Sequence, residues 1–478
     1  MSESLKQKTA RGLFWAAVNS GGTQVLNLLI GIFLARLLSP ADYGVVGMLA
    51  IFTAIAGCLQ DSGFTQALIN LRQPTQRDYN AVFWFNVTVS LLAYAMLFCC
   101  APLIAAYFHQ PVLVELSRFL FITFLLSALG IVPNAILVRQ LRQREKAVIS
   151  LTALVVSGLT GIVLALQGYS YWALAWQQVV YNAVTLLGRL LCTRWHPTGL
   201  GSFDPIRRMF GFSSKILLTA IVNALSANLL TVIFGRLYRV HDVGNYTQAA
   251  KWELMGSALV ANTVAQVAQP VMAELNDDAS GRQCNAFRKM LRFTAFLTFP
   301  ALLGLAIVAD ELIVLAISAK WAAAIPLLQV LCLGGTALPF HTLYQQLAVS
   351  KGRSDIYMWC GLGLIVLQLM LVLLLSSYPI VVLVAVYALL NVLWLGVLHA
   401  AAGRLIALRW TDMLRDILPF AAIAVAVTGA TYLATQWISL LWVKLLVRIV
   451  MAALLYVSAM RLLHVQIFRE SMAFLRRR

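Results

Sequence analysis

Lys251 is a charged side chain inside a long apolar run. On insertion scales an ionisable residue at the centre of a membrane helix costs about 2.5–3.5 kcal/mol, so its presence needs a reason. Asn262, Gln266 and Gln269 follow it at helical spacing on one face. Such a stripe faces a wet cavity or a helix interface rather than lipid. For Lys251 itself the structural alternative is an ion pair with a carboxylate on another helix. Glu253, two residues on, points to a different face and is not the obvious partner.

Other polar groups follow the same rule. Asn19, Thr23 and Asn27 stand at i, i+4 and i+8 in the first apolar run, and Thr219, Asn223 and Ser226 at i, i+4 and i+7 in the seventh. Both sets either line a shared central cavity or hydrogen-bond between helices. Glu115 and Arg118, at i, i+3, can pair locally near an outer interface. Asp61 falls near the inner end of the second run, where interfacial solvation makes a charge cheap; it is also the candidate site for a coupling cation.

Enzyme signatures are missing from the chain. There is no Walker-type phosphate loop, no HExxH and no nucleophile elbow. The six His and seven Cys show no metal-ligand spacing, and most of the Cys lie in or beside apolar runs, where they act as small hydrophobes. The expectation is a protein that is not an enzyme, with no cofactor and no metal. Without a nucleotide site, transport cannot be powered directly by ATP on this chain, which leaves room for coupling to a proton or sodium gradient.

The surroundings of these residues must be lipid. Hydrophobic residues make up 61% of 478 and charged ones 11%, with a mean hydropathy of +0.83; soluble domains are nearer half apolar and a quarter charged. The net charge of +18 does not form a nucleic-acid-binding stripe but breaks into short clusters between apolar runs. A run of about 20 apolar residues crosses the hydrocarbon core. Spans are predicted near 12–36, 43–66, 81–107, 113–136, 148–167, 171–192, 213–235, 244–270, 292–314, 322–349, 356–376, 379–401, 417–436 and 443–463.

Charge tests that count of about fourteen. With the first residues cytoplasmic, inside segments hold 27 Lys and Arg and outside ones 7, the latter being Arg36, Arg118, Arg236, Arg239, Lys320, Lys444 and Arg448. Both termini are therefore expected in the cytoplasm, the last as a basic tail. The first apolar run is too long for a cleaved signal and reads as the first membrane helix.

An internal repeat organises the chain. Arg36, Leu37, Asp42 and Gly44 recur as Arg236, Leu237, Asp242 and Gly244, each 200 residues on and each between the first and second helices of its half. An even number of intervening helices makes the repeats parallel. The expected architecture is an all-α polytopic membrane protein. It has a six-helix lobe over 1–205, a second over 206–410, and two further helices over 411–478. Asp42 and Asp242 sit where a helix N-cap is wanted. Arg36 and Arg236 suit the C-terminal dipole of the preceding helices; they are also candidates for meeting an anionic substrate.

Leu34 to Gly44, Asp61 to Ile69, Val243-Gly244-Asn245-Tyr246, Phe299-Pro300-Ala301 and Lys320-Trp321 through Gln329 together carry a resemblance. Over roughly the first 400 residues the chain resembles the polysaccharide transporter family of the multidrug/oligosaccharidyl-lipid/polysaccharide exporter superfamily, nearest the O-unit and colanic-acid type. The resemblance implies alternating access between two lobes, and a substrate of undecaprenyl diphosphate bearing an oligosaccharide, flipped to the periplasmic leaflet of a bacterial inner membrane. It implies cavity-facing cations for the diphosphate, with Lys251 and Arg118 as candidates. Glycan polymerase or export machinery would be the protein partners. The rival readings are a cation-coupled drug antiporter of the same superfamily, a lipid II flippase and a membrane-embedded glycan polymerase, the last disfavoured by the short loops.

Overall fold

The computed structural model describes residues 5–61, 63–71, 73–199, 204–274 and 282–469. Those residues are helices and short connections, with no strand among them. The tail residues Arg476, Arg477 and Arg478, and the side chains of Asp61 and Gln269, lie outside the described residues.

The first half contains α1 (Leu5–Leu37), α2 (Pro40–Met48), α3 (Ala50–Asp61), α4 (Phe64–Asn70), α5 (Gln76–Phe108), α6 (Leu113–Leu120), α7 (Ile122–Leu129), α8 (Ile131–Arg139), α9 (Gln143–Leu166) and α10 (Tyr171–Thr193). After these come α11 (Asp204–Leu237), α12 (Val240–Glu274), α13 (Arg282–Ile307), α14 (Ala309–Ile317), α15 (Ala324–Gly335) and α16 (Leu338–Ser350). The series ends with α17 (Ser354–Leu374), α18 (Ile380–Ala402), α19 (Trp410–Thr435) and α20 (Leu441–Leu462).

Each expected span has a helical counterpart, but the count of fourteen does not follow from length and apolarity. Among the described residues nine helices are long and apolar enough to cross a membrane, or eleven if each of two bent pairs is one span. The bends are 49° between α2 and α3 and 43° between the Leu113–Leu129 segment and α8. The other three counterparts are α10, α12 and α17. Gln177, Gln178, Asn182 and Arg189 dilute α10, while Lys251, Glu253 and several amides dilute α12. The apolar part of α17, Met358–Leu374, is short.

Capping explains where several helices start. Ser39 is the N-cap of α2, and its hydroxyl faces the Asp42 amide. The Asp42 carboxylate accepts in return from Ser39 N at 2.8 Å and Ser39 Oγ at 2.7 Å. Asp42 is thus the third residue of the helix rather than its cap, because Pro40, lacking an N–H, takes the first position. Thr75 and Asp78 close the same box at the head of α5. Each cap is worth about 1 kcal/mol.

The chain packs as two compact units, Met1–Gly244 and Asn245–Arg478. In the first, α9 lies between α1 and α10, α5 packs on α6 and α7, and α11 packs on α3, α4 and α5. In the second, α13 packs on α19 and α15 on α18. Its core holds Phe287, Phe340, Tyr344, Phe420 and Met460.

The repeated glycines have a physical cause inside the first unit. A Cβ on Gly44 would fall on the carbonyl of Val240, and one on Gly244 would fall on the carbonyl of Pro40. Pro40 and Val240 are themselves 200 residues apart, so the two copies of the motif meet reciprocally, backbone to backbone. Only glycine permits that approach.

Candidate functional site

Two of the candidate cations converge on α5. Arg118, on α6, lies with Cζ 4.3 Å from the centroid of the Phe98 ring, and its Nε donates to Phe98 O at 3.4 Å. Arg236, in the last turn of α11, donates from Nη1 to Tyr107 O at 2.9 Å, stands 5.6 Å from the Tyr107 ring centroid and touches His109 Nε2. Its guanidinium serves the carbonyls that close α5, as a cation at a helix C-terminus should. The local pair expected between Glu115 and Arg118 is not among the described contacts. Glu115 is exposed, and Arg118 turns instead to a ring face and a carbonyl, both attractive to a guanidinium. Arg36 is exposed in the last turn of α1.

The polar stripes of α1 and α11 do not join helices through their hydroxyls. Thr23 donates to Asn19 O at 2.7 Å, Thr219 to Lys215 O at 2.8 Å and Ser226 to Val222 O at 2.7 Å, each within its own helix. Back-bonding of this kind satisfies the donor locally. Asn27 and Asn223 are exposed, which leaves their amides on the outside of the packed helices.

In the second unit Lys251 is half-buried on α12, while Asn262 and Gln266 are exposed further along the same helix. Among the described residues no carboxylate lies within ion-pair distance of Lys251; the described ion pairs involve other cations. Asp61 ends α3 in the first unit.

Sequence reasoning missed two charge clusters in the second unit, one fastening α19 and the other α20. In one, Arg288 and Arg292 of α13 meet Asp412 and Asp416 of α19; the Arg288 Nε and Arg292 Nε donors reach Asp416 at 2.7 and 2.8 Å. In the other, Arg448 of α20 is buried and donates from Nη1 to both carboxylate oxygens of Glu311 at 2.7 and 2.9 Å. It also donates to Ile307 O at 2.6 Å and, from Nε, to Thr435 Oγ1 at 3.0 Å, while Lys444 Nζ stands 3.3 Å from Glu311. The available signal was the unlike charge at the two helix starts, Glu311 and Lys444. Counting loop cations by side of the membrane set it aside.

Between these clusters, α13, α19 and α20 line a half-open groove of about 530 Å³ that includes Pro300, Gly304, Val427, Tyr456 and Val457, with Arg448 among its lining. A second, of about 350 Å³, lies in the first unit between α3, α5 and α11 and is also apolar. No group of His, Cys, Asp and Glu among the described residues could hold a metal ion. Outside the apolar segments, the Arg353 guanidinium hydrogen-bonded to Asp355 holds that carboxyl below its usual range.

Comparison with known proteins agrees with this anatomy. A model of the family described as "Polysaccharide biosynthesis protein" matches residues 33–326. The chain is 26% identical over 359 residues to the lipopolysaccharide biosynthesis protein WzxC of Escherichia coli (strain K12), covering 74% of this chain and 72% of that one. It is 26% identical over 364 residues to the succinoglycan biosynthesis transport protein ExoT of Rhizobium meliloti (strain 1021), covering 76% and 73%. Among solved structures it resembles the lipid II flippase MurJ in an inward closed conformation, with a TM-score of 0.74 at 13% identity, over 94% of this chain and 99% of that one.

Proposed function

Since the chain belongs to the polysaccharide biosynthesis protein family, we propose that it flips undecaprenyl-diphosphate-linked oligosaccharide units from the cytoplasmic to the periplasmic leaflet, by alternating access. It is a multi-pass membrane protein and a transporter rather than an enzyme. The observation that carries the reading is Lys251, a half-buried cation in the membrane part of the chain with no carboxylate at ion-pair distance among the described residues. Holding it there costs free energy that an anionic ligand returns on binding.

The division of labour is physical. A sugar–diphosphate head cannot enter hydrocarbon, whereas a polyprenyl tail can stay in it. Polar positions on α12 such as Lys251, Asn262 and Gln266 suit the head, as do Asn27 and Asn223 taken by themselves. The apolar grooves suit only hydrocarbon chains. We place the protein in the bacterial inner membrane with both termini cytoplasmic, on the distribution of Lys and Arg. A gradient of protons or sodium drives the cycle, and glycan polymerase or export machinery receives the product.

The test is a deletion strain that makes a surface glycan, restored with wild type or with Lys251→Ala. Lipid-linked units should accumulate on the cytoplasmic face in the deletion, and again with Lys251→Ala at normal protein level. An intact glycan in the deletion strain would end the flippase reading.

A further inference from the structure

Glu253 lies on α12 with 7% exposure, and its Oε1 is enclosed without a hydrogen-bond partner. The Ser257 hydroxyl, one turn along, donates to Leu254 O at 3.4 Å. The other polar groups near enough to feel its charge are the Tyr246 phenol of α12, the Cys332 thiol of α15 and the Tyr387 phenol of α18. His341 of α16 is directed elsewhere, its Nε2 3.0 Å from Asn391 O. Among the described residues no Lys or Arg is within ion-pair distance, and Lys251 lies on another face of the helix.

The seat for this carboxyl is built by a second helix. On α15, a Cβ at Gly335 would overlap Glu253 Oε1 and come within 3.0 Å of its Cδ. The missing side chain is what makes room for the acid. A bare carboxylate there, without a counter-charge, would cost several kcal/mol, so the neutral acid is the form this seat suits. If the position needed only a neutral hydrogen-bonding side chain, glutamine would serve equally. What an acid adds is a proton that it can release once its surroundings become wet.

Resting on the flippase reading above, we propose that Glu253 is the proton-binding site that couples transport. Its carboxylate takes one proton from the outer aqueous phase and becomes the neutral acid seated against Gly335. It returns that proton to the cytoplasm when α12 meets water from that side, so inward proton flow drives outward movement of the lipid-linked glycan.

The experiment uses the full chain in phosphatidylethanolamine–phosphatidylglycerol vesicles with a pH dye in the lumen and a fluorescent undecaprenyl-diphosphate oligosaccharide. In wild type a proton gradient should speed flipping about tenfold and be dissipated by it. Glu253→Gln, which matches the protonated acid in shape, should flip at the rate seen without a gradient and move no protons. A Gln variant that keeps gradient-driven flipping, or a wild type driven by sodium instead, overturns the proposal. A second readout separates failure of the inference from failure of the function. Infrared difference spectra between acid and alkaline buffer should show a carboxylic-acid C=O band that Glu253→Gln removes, whether or not the glycan moves. Identical spectra for the two proteins overturn the site.

Discussion

Replacing Arg448 with methionine should be among the most damaging single changes that leave the polar stripes untouched. Arg448 is 1% exposed and Glu311 fully buried, and the guanidinium satisfies four acceptors: both Glu311 oxygens, Ile307 O and Thr435 Oγ1. It also stands 5.0 Å from the Tyr432 ring centroid. Methionine fills much of the volume but leaves Glu311 with Lys444 alone, at 3.3 Å. Breaking a buried pair by removing one partner costs about 3–5 kcal/mol, because the surviving charge stays buried. Lys444 recovers part of this, so the lower end, about 3 kcal/mol, is expected. At about 2–4 °C per kcal/mol for a domain of roughly this size, the melting point should fall about 6–12 °C.

Thermal unfolding of purified protein in detergent micelles, followed by tryptophan fluorescence, measures this. The double variant Glu311→Leu with Arg448→Met is the control that isolates the reasoning. If the loss comes from a stranded carboxylate, removing that carboxylate as well should recover most of the stability. A single variant that melts within about 2 °C of wild type would refute the argument. So would a double variant that melts well below the single one, since the cost would then lie in packing rather than charge.

Four further outcomes are expected. Gly44→Leu, which drives a side chain into the Val240 carbonyl, should disfavour this packing by at least the roughly 1–3 kcal/mol of ordinary overpacking; glycan export should drop about tenfold or more while Ser39→Ala, a loss of about 1 kcal/mol of capping, leaves it nearly unchanged. Asp416→Asn weakens charged hydrogen bonds from Arg288 and Arg292, worth about 1.5–3 kcal/mol each, and a melting curve should show a loss of at least about 2 kcal/mol. Lys251→Arg should retain more glycan export than Lys251→Ala or Lys251→Met, measured as surface polymer at equal expression, because only the arginine keeps the charge. Arg236→Ala removes a donor from the exposed end of α5 and should cost no more than about 1 kcal/mol of stability in a melting curve, without accumulation of lipid-linked units.

The helical membrane architecture was legible because lipid leaves the backbone no alternative. Every peptide group must bond within its own span, so apolar length alone announces a helix. Breaks were not legible in the same way. The run 43–66 reads as one span, yet the chain bends by 49° between α2 and α3, and hydropathy carries no term for direction. The repeat at Gly44 and Gly244 was visible as spelling, but its cause, a reciprocal approach of two backbones, is a three-dimensional fact. For Lys251 position and cost were legible from spacing alone, and the structure added the absence of a carboxylate partner among the described residues.

Charge pairing shows where sequence reasoning meets its limit. Lys444 and Arg448 were counted as cations of outer loops, which is sound for topology because that count asks only on which side a charge lies. Their stability role depends on a partner 137 positions away from Arg448, and nothing local marks Glu311 as that partner. The same blindness works in reverse for Glu253, which looks on paper like one more acid beside Lys251. Spacing says only that the two point apart; it cannot say that a glycine on α15 leaves room for one carboxyl and no counter-charge. Unpaired polar groups inside a bilayer are costly, so a three-dimensional search for charges that lack partners is the more sensitive detector of function. Among the described residues Lys251 and Glu253 are two such groups, a cation and an acid without an ion-pair partner in the membrane part of the chain. They lie two residues apart on different faces of one helix, so a movement of α12 that changed the surroundings of one would change those of the other. That shared helix is the physical basis on which substrate binding and proton release can be coupled.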